Sequence, residues 1–348
     1  MRRTETTRMG ARGTEGSGML EKEGWVAYAM RKRQHRVTDG RQLGYAWEAL
    51  FDVEGLTALE KSMETWKAER SDIRVGKMGY RTKTTKAGRM LEFDIYPIFG
   101  REQEKQARRA MMQVTPERMR LVNLYNARRR IVQLANANFG EEDLHLTLTY
   151  AQAPDYAQAQ KDVRNFLARL RRLRRKAGLP ELKYIYAIED NQAGRKTRLH
   201  VHMLLSGGIS RETIEALWAK GYANADRLQP DENGLAAIAR YIIKQGDSGE
   251  TRGRRRWCAS RNLRKPQVRV SDTKLSNTRV KRLARELPQE AREVLRRVYP
   301  GYEYVALEVH FSDRVDGVYI RGTMRRIDRE GSSGRKRAEA RMQGGDAT

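Results

Sequence analysis

The sequence predicts an α+β fold in which a central antiparallel sheet carries helices on one face, with flanking α+β segments on both sides. Two observations lead to this prediction. Between residues 141 and 265, strand-like and helix-like patterns follow one another in the order β-α-β-β-α-β-α. Two of the strand patterns are joined by a short polar loop, which predicts a hairpin, and hairpin strands are antiparallel. A doubly wound parallel sheet is therefore not expected.

The segments before this core are less regular. Residues 1–20 have almost no large apolar side chains and are predicted to be disordered. Residues 21–100 are predicted to form a small α+β module of unknown role, because 44–69 has helical spacing and 73–99 carries two strand-like runs around the turn-prone KAGR. Residues 101–140 form a basic helical segment that Pro116 interrupts.

The core at 141–265 has the clearest patterns. In LHLTLTY at 144–150 three leucines alternate with His145, Thr147 and Thr149, which predicts a strand with the two sets on opposite faces. A helix rich in arginine follows Asp155. The remaining elements are strands at 182–189 and 198–206, a helix at 211–220, a strand at 222–228 and a helix at 234–245.

The part of the chain after the core gives fewer signals. Residues 266–328 are predicted to contain a helix and strands, the latter at 302–309 and 315–324. Residues 329–348 form a basic tail that we expect to be disordered. This C-terminal part and the 21–100 module could either recognise duplex DNA or pack on the core.

The charge of the chain indicates a polyanionic partner. Its 348 residues include 70 Lys plus Arg against 44 Asp plus Glu, a net charge of +26 with a pI near 10.4. Neutralising phosphates releases condensed counterions, so such an excess favours binding to nucleic acid. Cys258 is the only cysteine, which excludes a disulfide framework and indicates the cytoplasm. No apolar run is long enough for a membrane span, and we expect no membrane partner.

Two histidines form a candidate metal site. Side chains at i and i+2 of a strand share a face, so His200 and His202 should point the same way while Val201 and Met203 enter the core. Imidazole nitrogens suit Mn²⁺, Ni²⁺, Co²⁺ or Zn²⁺, and phosphate and water could complete a shell for Mg²⁺. Glu189, at the end of the hairpin partner, is the expected third ligand, with His145 and Asp190 as lesser candidates. A pair of structural strand histidines is the alternative.

A candidate nucleophile follows about forty residues later. The helix GLAAIARYIIKQ carries Tyr241 and Lys244 on one side, with Tyr241 at the edge of the apolar arc. A tyrosine with a pKa near 10 is a poor nucleophile at neutral pH unless a cation stabilises the phenolate. Lys244 could supply that cation. Taken alone, Tyr241 could equally be a boundary aromatic whose hydroxyl forms a hydrogen bond.

Together these motifs resemble those of the HUH endonucleases, the rolling-circle replication initiators of plasmids and phages. The matching stretches are HLTLTY at 145–150, RLHVHMLL at 198–205 and ARYIIKQ at 239–245, and the resemblance covers about 140–265. It implies that His200, His202 and Glu189 hold a divalent metal, Mn²⁺ or Mg²⁺. It implies further that Tyr241 is the nucleophile and Lys244 its helper. Position 237 is Ala and position 245 is Gln, which indicates the one-tyrosine branch.

The implied activity is the nicking of single-stranded origin DNA by transesterification, which leaves a 5′-phosphotyrosine and a free 3′-hydroxyl. A stem-loop is the expected form of that origin. The chain has no G-x-x-x-x-G-K-[ST] motif, so a host helicase is expected to unwind DNA for the host polymerase. Duplex origin DNA is a further possible partner. The residues expected to contact DNA are Arg171, Arg172, Arg174, Arg175, Arg198, Arg261 and Lys265.

Other functions remain compatible with the sequence. Conjugative relaxases and one-tyrosine transposases use the same chemistry, although common relaxases place a third histidine near the pair and single-domain transposases are shorter. A basic DNA-binding regulator without catalytic activity is the non-enzymatic alternative. Covalent attachment of the protein to a DNA 5′ end would separate the enzymes from the regulator.

Overall fold

A computed structural model describes residues 48–51, 78–152, 154–189, 199–242, 257–285, 288–312 and 314–327. The chain divides into two units, Met1–Trp47 and Glu48–Thr348, and every described residue belongs to the second. The two termini predicted to be disordered lie outside the described residues. So does most of the helix predicted at 44–69, of which a 3₁₀ turn at Glu48–Leu50 is described.

The described residues form seven helices and ten strands, which alternate irregularly along the chain. The helices are α1 (Arg101–Met112), α2 (Pro116–Asn138), α3 (Tyr156–Lys176), α4 (Arg211–Trp218), α5 (Ala236–Ile242), α6 (Asn277–Arg285) and α7 (Pro288–Val298). The strands are β1 (Gly79–Ala87), β2 (Met90–Ile98), β3 (Leu144–Thr149), β4 (Tyr184–Glu189), β5 (His200–Leu205), β6 (Ala223–Arg227), β7 (Cys258–Ala259), β8 (Gln267–Ser271), β9 (Tyr302–His310) and β10 (Tyr319–Arg326). None of the described helices has the length and apolar character of a membrane span.

The strands form two antiparallel sheets of five, which confirms the predicted α+β class. The flanking sheet has the order β8-β1-β2-β10-β9, and the site sheet has the order β6-β3-β5-β4-β7. Strands from both sides of the 141–265 core, at 79–98 and at 267–326, therefore pair in the flanking sheet. The break at Pro116 is confirmed as well, because the Thr115 hydroxyl caps α2 by accepting a hydrogen bond from the Arg118 amide.

The turn of the β1–β2 hairpin packs against the C-terminal end of α2. Gly88 occupies this turn with φ +60°, and a Cβ added there would lie 1.9 Å from the carbonyl oxygen of Asn136. Only glycine satisfies both the left-handed backbone and the close approach. The turn predicted within KAGR is therefore also the point where the flanking sheet meets α2.

Opposite faces of the flanking sheet have different chemistry. On one face, Leu91, Phe93 and Ile95 of β2 pack on apolar side chains of α6 and α7. On the other face, Asp94 is buried and accepts two hydrogen bonds from Arg129 of α2, at 2.9 and 2.8 Å. Arg321 and the Tyr319 hydroxyl donate to the same carboxylate at 3.0 and 2.9 Å. A buried ion network thus fixes α2 to this sheet.

The site sheet is covered by helices on both faces. The leucines of β3, together with Val201 and Met203 of β5, pack against α3 and α4. On the opposite face, Ile185, Ala187 and Leu204 pack against the second half of α2 and against α5. Our prediction of helices on one face was wrong in this detail, because α2, which precedes the core in sequence, supplies part of the second layer.

Candidate metal centre

The metal centre is built on the face of the site sheet that α2 and α5 cover. His200 lies between Thr149 of β3 and Glu189 of β4 in the strand register, and His202 lies between Thr147 and Ala187. Paired residues of neighbouring strands project to the same face. The expectation that the two histidines share a face is therefore confirmed.

The three predicted ligands lie within coordinating distance of one another. The Oε2 atom of Glu189 is 3.1 Å from His200 Nε2 and 3.6 Å from His202 Nε2. One ligand atom from each residue can be chosen so that all of them lie within 4.8 Å of one another. Two imidazoles and a carboxylate at this spacing could hold a divalent metal ion and leave positions open for water or substrate oxygen.

His202 is the most buried of the three ligands, with only 2% of its side chain exposed. Burial lowers the pKa of His202 to about 4, and the imidazoles of His200 and His145 lower it further, against the opposing effect of Glu189. The ring is therefore neutral at pH 7. Its Nδ1 lies 3.3 Å from the Thr147 hydroxyl, and its buried Nε2 has no hydrogen-bond partner among the described residues.

This environment fits a metal ligand. A neutral imidazole whose Nδ1–H donates to Thr147 presents a lone pair on Nε2, the atom that faces Glu189. An unpaired buried nitrogen is costly unless it binds something. The role of Thr147 in holding His202 was not predicted, although the alternation in LHLTLTY already placed it on the site face.

His145 lies beside the centre rather than within the three-residue group. Its ring stacks on the ring of His202, with centroids 5.7 Å apart. Burial lowers the pKa of His145 below its ordinary value, against the opposing effect of Asp226. The compact group contains Glu189 and not His145, which had been a lesser candidate for the third ligand. Asp190, the other lesser candidate, lies outside the described residues.

Tyr241 extends from α5 over the same face. Its ring centroid lies 4.6 Å from that of His202 and 6.2 Å from that of His145. Ala239 and Ile242 anchor α5 in the apolar layer, while 43% of Tyr241 remains exposed. The predicted position, with a packed ring and an accessible hydroxyl, is thus present. Lys244 lies outside the described residues.

One of the arginines predicted to contact DNA is buried. Arg174 is 4% exposed and donates to the carbonyl oxygens of Pro180 at 2.8 Å, of Ser206 at 3.3 Å and of Gly207. The prediction that it faces outward was wrong, because these loop carbonyls need a donor that α3 supplies. The others on α3, Arg171, Arg172 and Arg175, are exposed or half-buried, but α3 covers the face of the sheet opposite the metal centre.

The segment 260–266 lies beside the end of α2. Asn138 accepts a hydrogen bond from the Arg264 amide at 2.7 Å and donates to the Arg264 carbonyl at 2.9 Å. Arg261 and Lys265 are exposed on this segment, as expected for residues that contact phosphates. Arg198 lies outside the described residues.

Comparisons with known proteins give one match. Residues 143–246 match the family model described as replication-associated protein, of the ORF2 type, a span of less than one third of the chain. The span includes Glu189, His200, His202 and Tyr241. Comparisons with curated proteins and with solved structures gave no match.

Proposed function

We propose that this chain is a replication initiator that nicks single-stranded origin DNA and becomes attached to the 5′ end through Tyr241. The family match supports a Rep-type replication initiator. The observation that carries the nicking activity is the position of an exposed tyrosine 4.6 Å, centroid to centroid, from a histidine of a group that could hold a metal. A tyrosine nucleophile and a divalent ion are the two elements that such a transesterification needs.

Glu189, His200 and His202 would hold the ion. When bound, it would polarise a nonbridging oxygen of the scissile phosphate and favour the charge that develops in the transition state. Thr147 would keep His202 in the tautomer that presents Nε2. Burial of Glu189 and His202 under α2 and α5 restricts water and so strengthens these interactions. Mn²⁺ and Mg²⁺ are the ions we expect.

Tyr241 would attack the phosphorus. Its hydroxyl oxygen forms the new phosphorus–oxygen bond, and the bond from phosphorus to the 3′ oxygen breaks. The phenol proton is lost to solvent, which the exposure of Tyr241 permits, and the leaving 3′ oxygen takes up a proton. The products are a 5′-phosphotyrosine and a free 3′-hydroxyl that a host polymerase can extend. Lys244 is the proposed helper of the phenolate.

The nucleophile can be tested with a single-stranded oligonucleotide that carries the origin and a label at its 3′ end, in the presence of Mn²⁺. The unmodified protein should carry the labelled fragment in a covalent protein band, because the label lies 3′ of the nick. Tyr241→Phe should abolish the band while leaving DNA binding unchanged, since only the attacking oxygen is removed. Tyr302→Phe, in the flanking sheet, is the matched control. An undiminished band with Tyr241→Phe would refute the assignment of the nucleophile.

The same assay addresses the competing functions. A DNA-binding regulator would give no covalent band with any strand, and an enzyme of conjugation or transposition would give a band on its own substrate rather than on a replication origin. Duplex origin DNA should not be cut unless it is melted, since the proposed substrate is single-stranded.

A further inference from the structure

Two exposed aromatic rings lie on the same face of the site sheet. Among the tyrosines, phenylalanines and tryptophans of the described residues, only Tyr222 and Tyr241 are exposed, at 70% and 43%. Tyr241 already has a role in the proposed function. Tyr222 makes no hydrogen bond or ring contact through its side chain within the described part of the chain. A large ring held in solvent needs an explanation, since aromatic side chains are usually packed.

Tyr222 continues the strand row that contains the metal centre. The Thr149 amide donates to the Tyr222 carbonyl at 2.8 Å, in the register that pairs Thr147 with Asn224. Thr149 is paired in turn with His200, and His200 with Glu189. Tyr222, Thr149, His200 and Glu189 therefore follow one another across four strands on one face. Two strand spacings, roughly 10 Å, separate Tyr222 from His200 along this row.

The backbone that carries Tyr222 is fixed although its ring is free. A Cβ on Gly221 would lie 2.6 Å from both the Ala151 nitrogen and the Thr149 oxygen, so Gly221 lets the two chains approach closely. The Thr149 hydroxyl donates a second hydrogen bond to the Tyr222 carbonyl at 3.0 Å. The Ala151 amide holds the Lys220 carbonyl at 2.9 Å. An aromatic ring on a fixed backbone loses little conformational entropy when a flat partner binds it.

The charges around Tyr222 select which part of a nucleotide would lie there. Along β6 the same face presents Asn224 and then Asp226, whose carboxylate accepts a hydrogen bond from the Asn224 amide. Towards the metal centre it presents the hydroxyls of Thr147 and Thr149. This surface is neutral or acidic and would repel a phosphate. It suits an uncharged, planar nucleobase.

We propose that Tyr222 is a nucleobase-binding subsite, on which a base close to the scissile phosphate stacks while that phosphate lies at the metal centre. The proposal deepens the proposed function, since it assumes a single-stranded substrate at this face. Stacking on a tyrosine tolerates every base. The subsite would therefore strengthen binding and orient the strand without reading its sequence.

The subsite can be tested by single-strand binding in EDTA, which requires neither metal nor cleavage. The probes are a twelve-residue oligothymidylate and an abasic strand of the same length. Tyr222→Ala should weaken binding of oligothymidylate by about five-fold or more, and Tyr222→Phe and Tyr222→Trp should bind within about two-fold of the unmodified protein. All variants should bind the abasic strand alike. Val268→Ala, at an exposed apolar position of the flanking sheet, is the control.

Other outcomes overturn the proposal. Equal weakening for the abasic strand would show that Tyr222 contacts the backbone, and unchanged binding by Tyr222→Ala would remove the subsite. Loss of the covalent band in Tyr222→Phe would identify Tyr222 as a nucleophile instead. If Tyr222→Ala fails to fold, Tyr222→Leu replaces it, since leucine is apolar but cannot stack. Absence of any covalent band from the unmodified protein would refute nicking, whereas the binding result would still decide the subsite.

Discussion

At the scale of single residues, the metal centre depends on three side chains whose positions are set by strand register. His202→Ala removes the ligand that is most buried and neutral at pH 7. Loss of outer hydrogen-bond partners alone weakens metal binding by roughly 10- to 100-fold, so loss of a ligand should cost at least that much. Titration calorimetry with Mn²⁺ would measure the effect.

The matched control for this variant is Glu141→Gln, which neutralises an exposed carboxylate away from the centre. It should bind Mn²⁺ like the unmodified protein. Unaltered Mn²⁺ affinity in His202→Ala would show that the metal binds elsewhere.

Asp94 is the residue on which we expect the acid stability of the fold to depend. Burial alone would raise its pKa, but the guanidinium groups of Arg129 and Arg321 hold the pKa of Asp94 well below its usual range. A group whose pKa is lowered by folding stabilises the protein above its unfolded pKa of about 3.9, and that stability is lost as the pH falls further. The free energy of unfolding should therefore decrease below about pH 4.

Asp94→Asn leaves two buried guanidinium groups without their carboxylate. Breaking a buried ion pair on one side costs about 3–5 kcal/mol, and the acid-dependent loss should become smaller in the variant. Urea unfolding at pH 7 and pH 3 would measure both effects. Asp272→Asn, which breaks the exposed ion pair with Arg81, should cost less than about 1 kcal/mol. Equal costs for the two variants would contradict the proposed importance of the network.

At the scale of elements, the arginines of α3 separate into one structural residue and three that reach solvent. Replacing Arg171, Arg172 and Arg175 by Gln should leave the fold intact and lower the slope of log K against log salt by roughly 0.7 to 0.9 for each phosphate that is no longer neutralised. Because α3 lies opposite the metal centre, the nicking rate at saturating DNA should not change. DNA binding at several salt concentrations checks the slope.

Arg174→Gln is the counterpart of that triple variant. It should destabilise the protein, since three carbonyl oxygens lose their donor, and it should leave the salt slope unchanged. A reduced slope in Arg174→Gln with normal stability would return this residue to the DNA-binding set.

The junction between the β1–β2 hairpin and α2 can be tested with two glycines that both have positive φ. Gly88→Ala should be more destabilising than Gly178→Ala, because both incur left-handed strain of about 1 kcal/mol but only the first drives a Cβ into the Asn136 carbonyl. Nothing lies within 4 Å of the corresponding Cβ at Gly178. Thermal unfolding of the two variants gives the comparison, and equal melting temperatures would exclude the close approach.

The elements that the sequence could predict are those defined by local patterns. Alternation placed Thr147 with His145 and predicted the shared face of His200 and His202, and Pro116 marked the start of α2. The burial of Arg174 could not be predicted, because its acceptors come from loops whose positions depend on the folded chain. The helices on the second face of the site sheet were missed for the same reason, since the packing of α2 on Ile185 and Leu204 joins residues far apart in sequence.

At the scale of the whole molecule, the pairing of strands could not be derived from periodicity. The runs at 79–98 and 302–326 each show strand patterns, but nothing in a single sequence indicates that β8 pairs with β1 or that β10 pairs with β2. The site was more predictable than the fold because its residues are close in sequence. Glu189, His200, His202 and Tyr241 all fall within one short stretch of the chain, and one hairpin brings the three ligands together.

The position of α2 bears on how such a protein can be inherited in pieces. The span that matches a known family begins at residue 143, after α2 has ended. Moved alone into another chain, that span would carry Ile185, Ala187 and Leu204 with only α5 over them, and exposed apolar patches of this kind promote aggregation. The unit that recombination can exchange must therefore include α2. Because Arg129 joins that helix to Asp94, the donor would leave behind a buried charge in its flanking sheet.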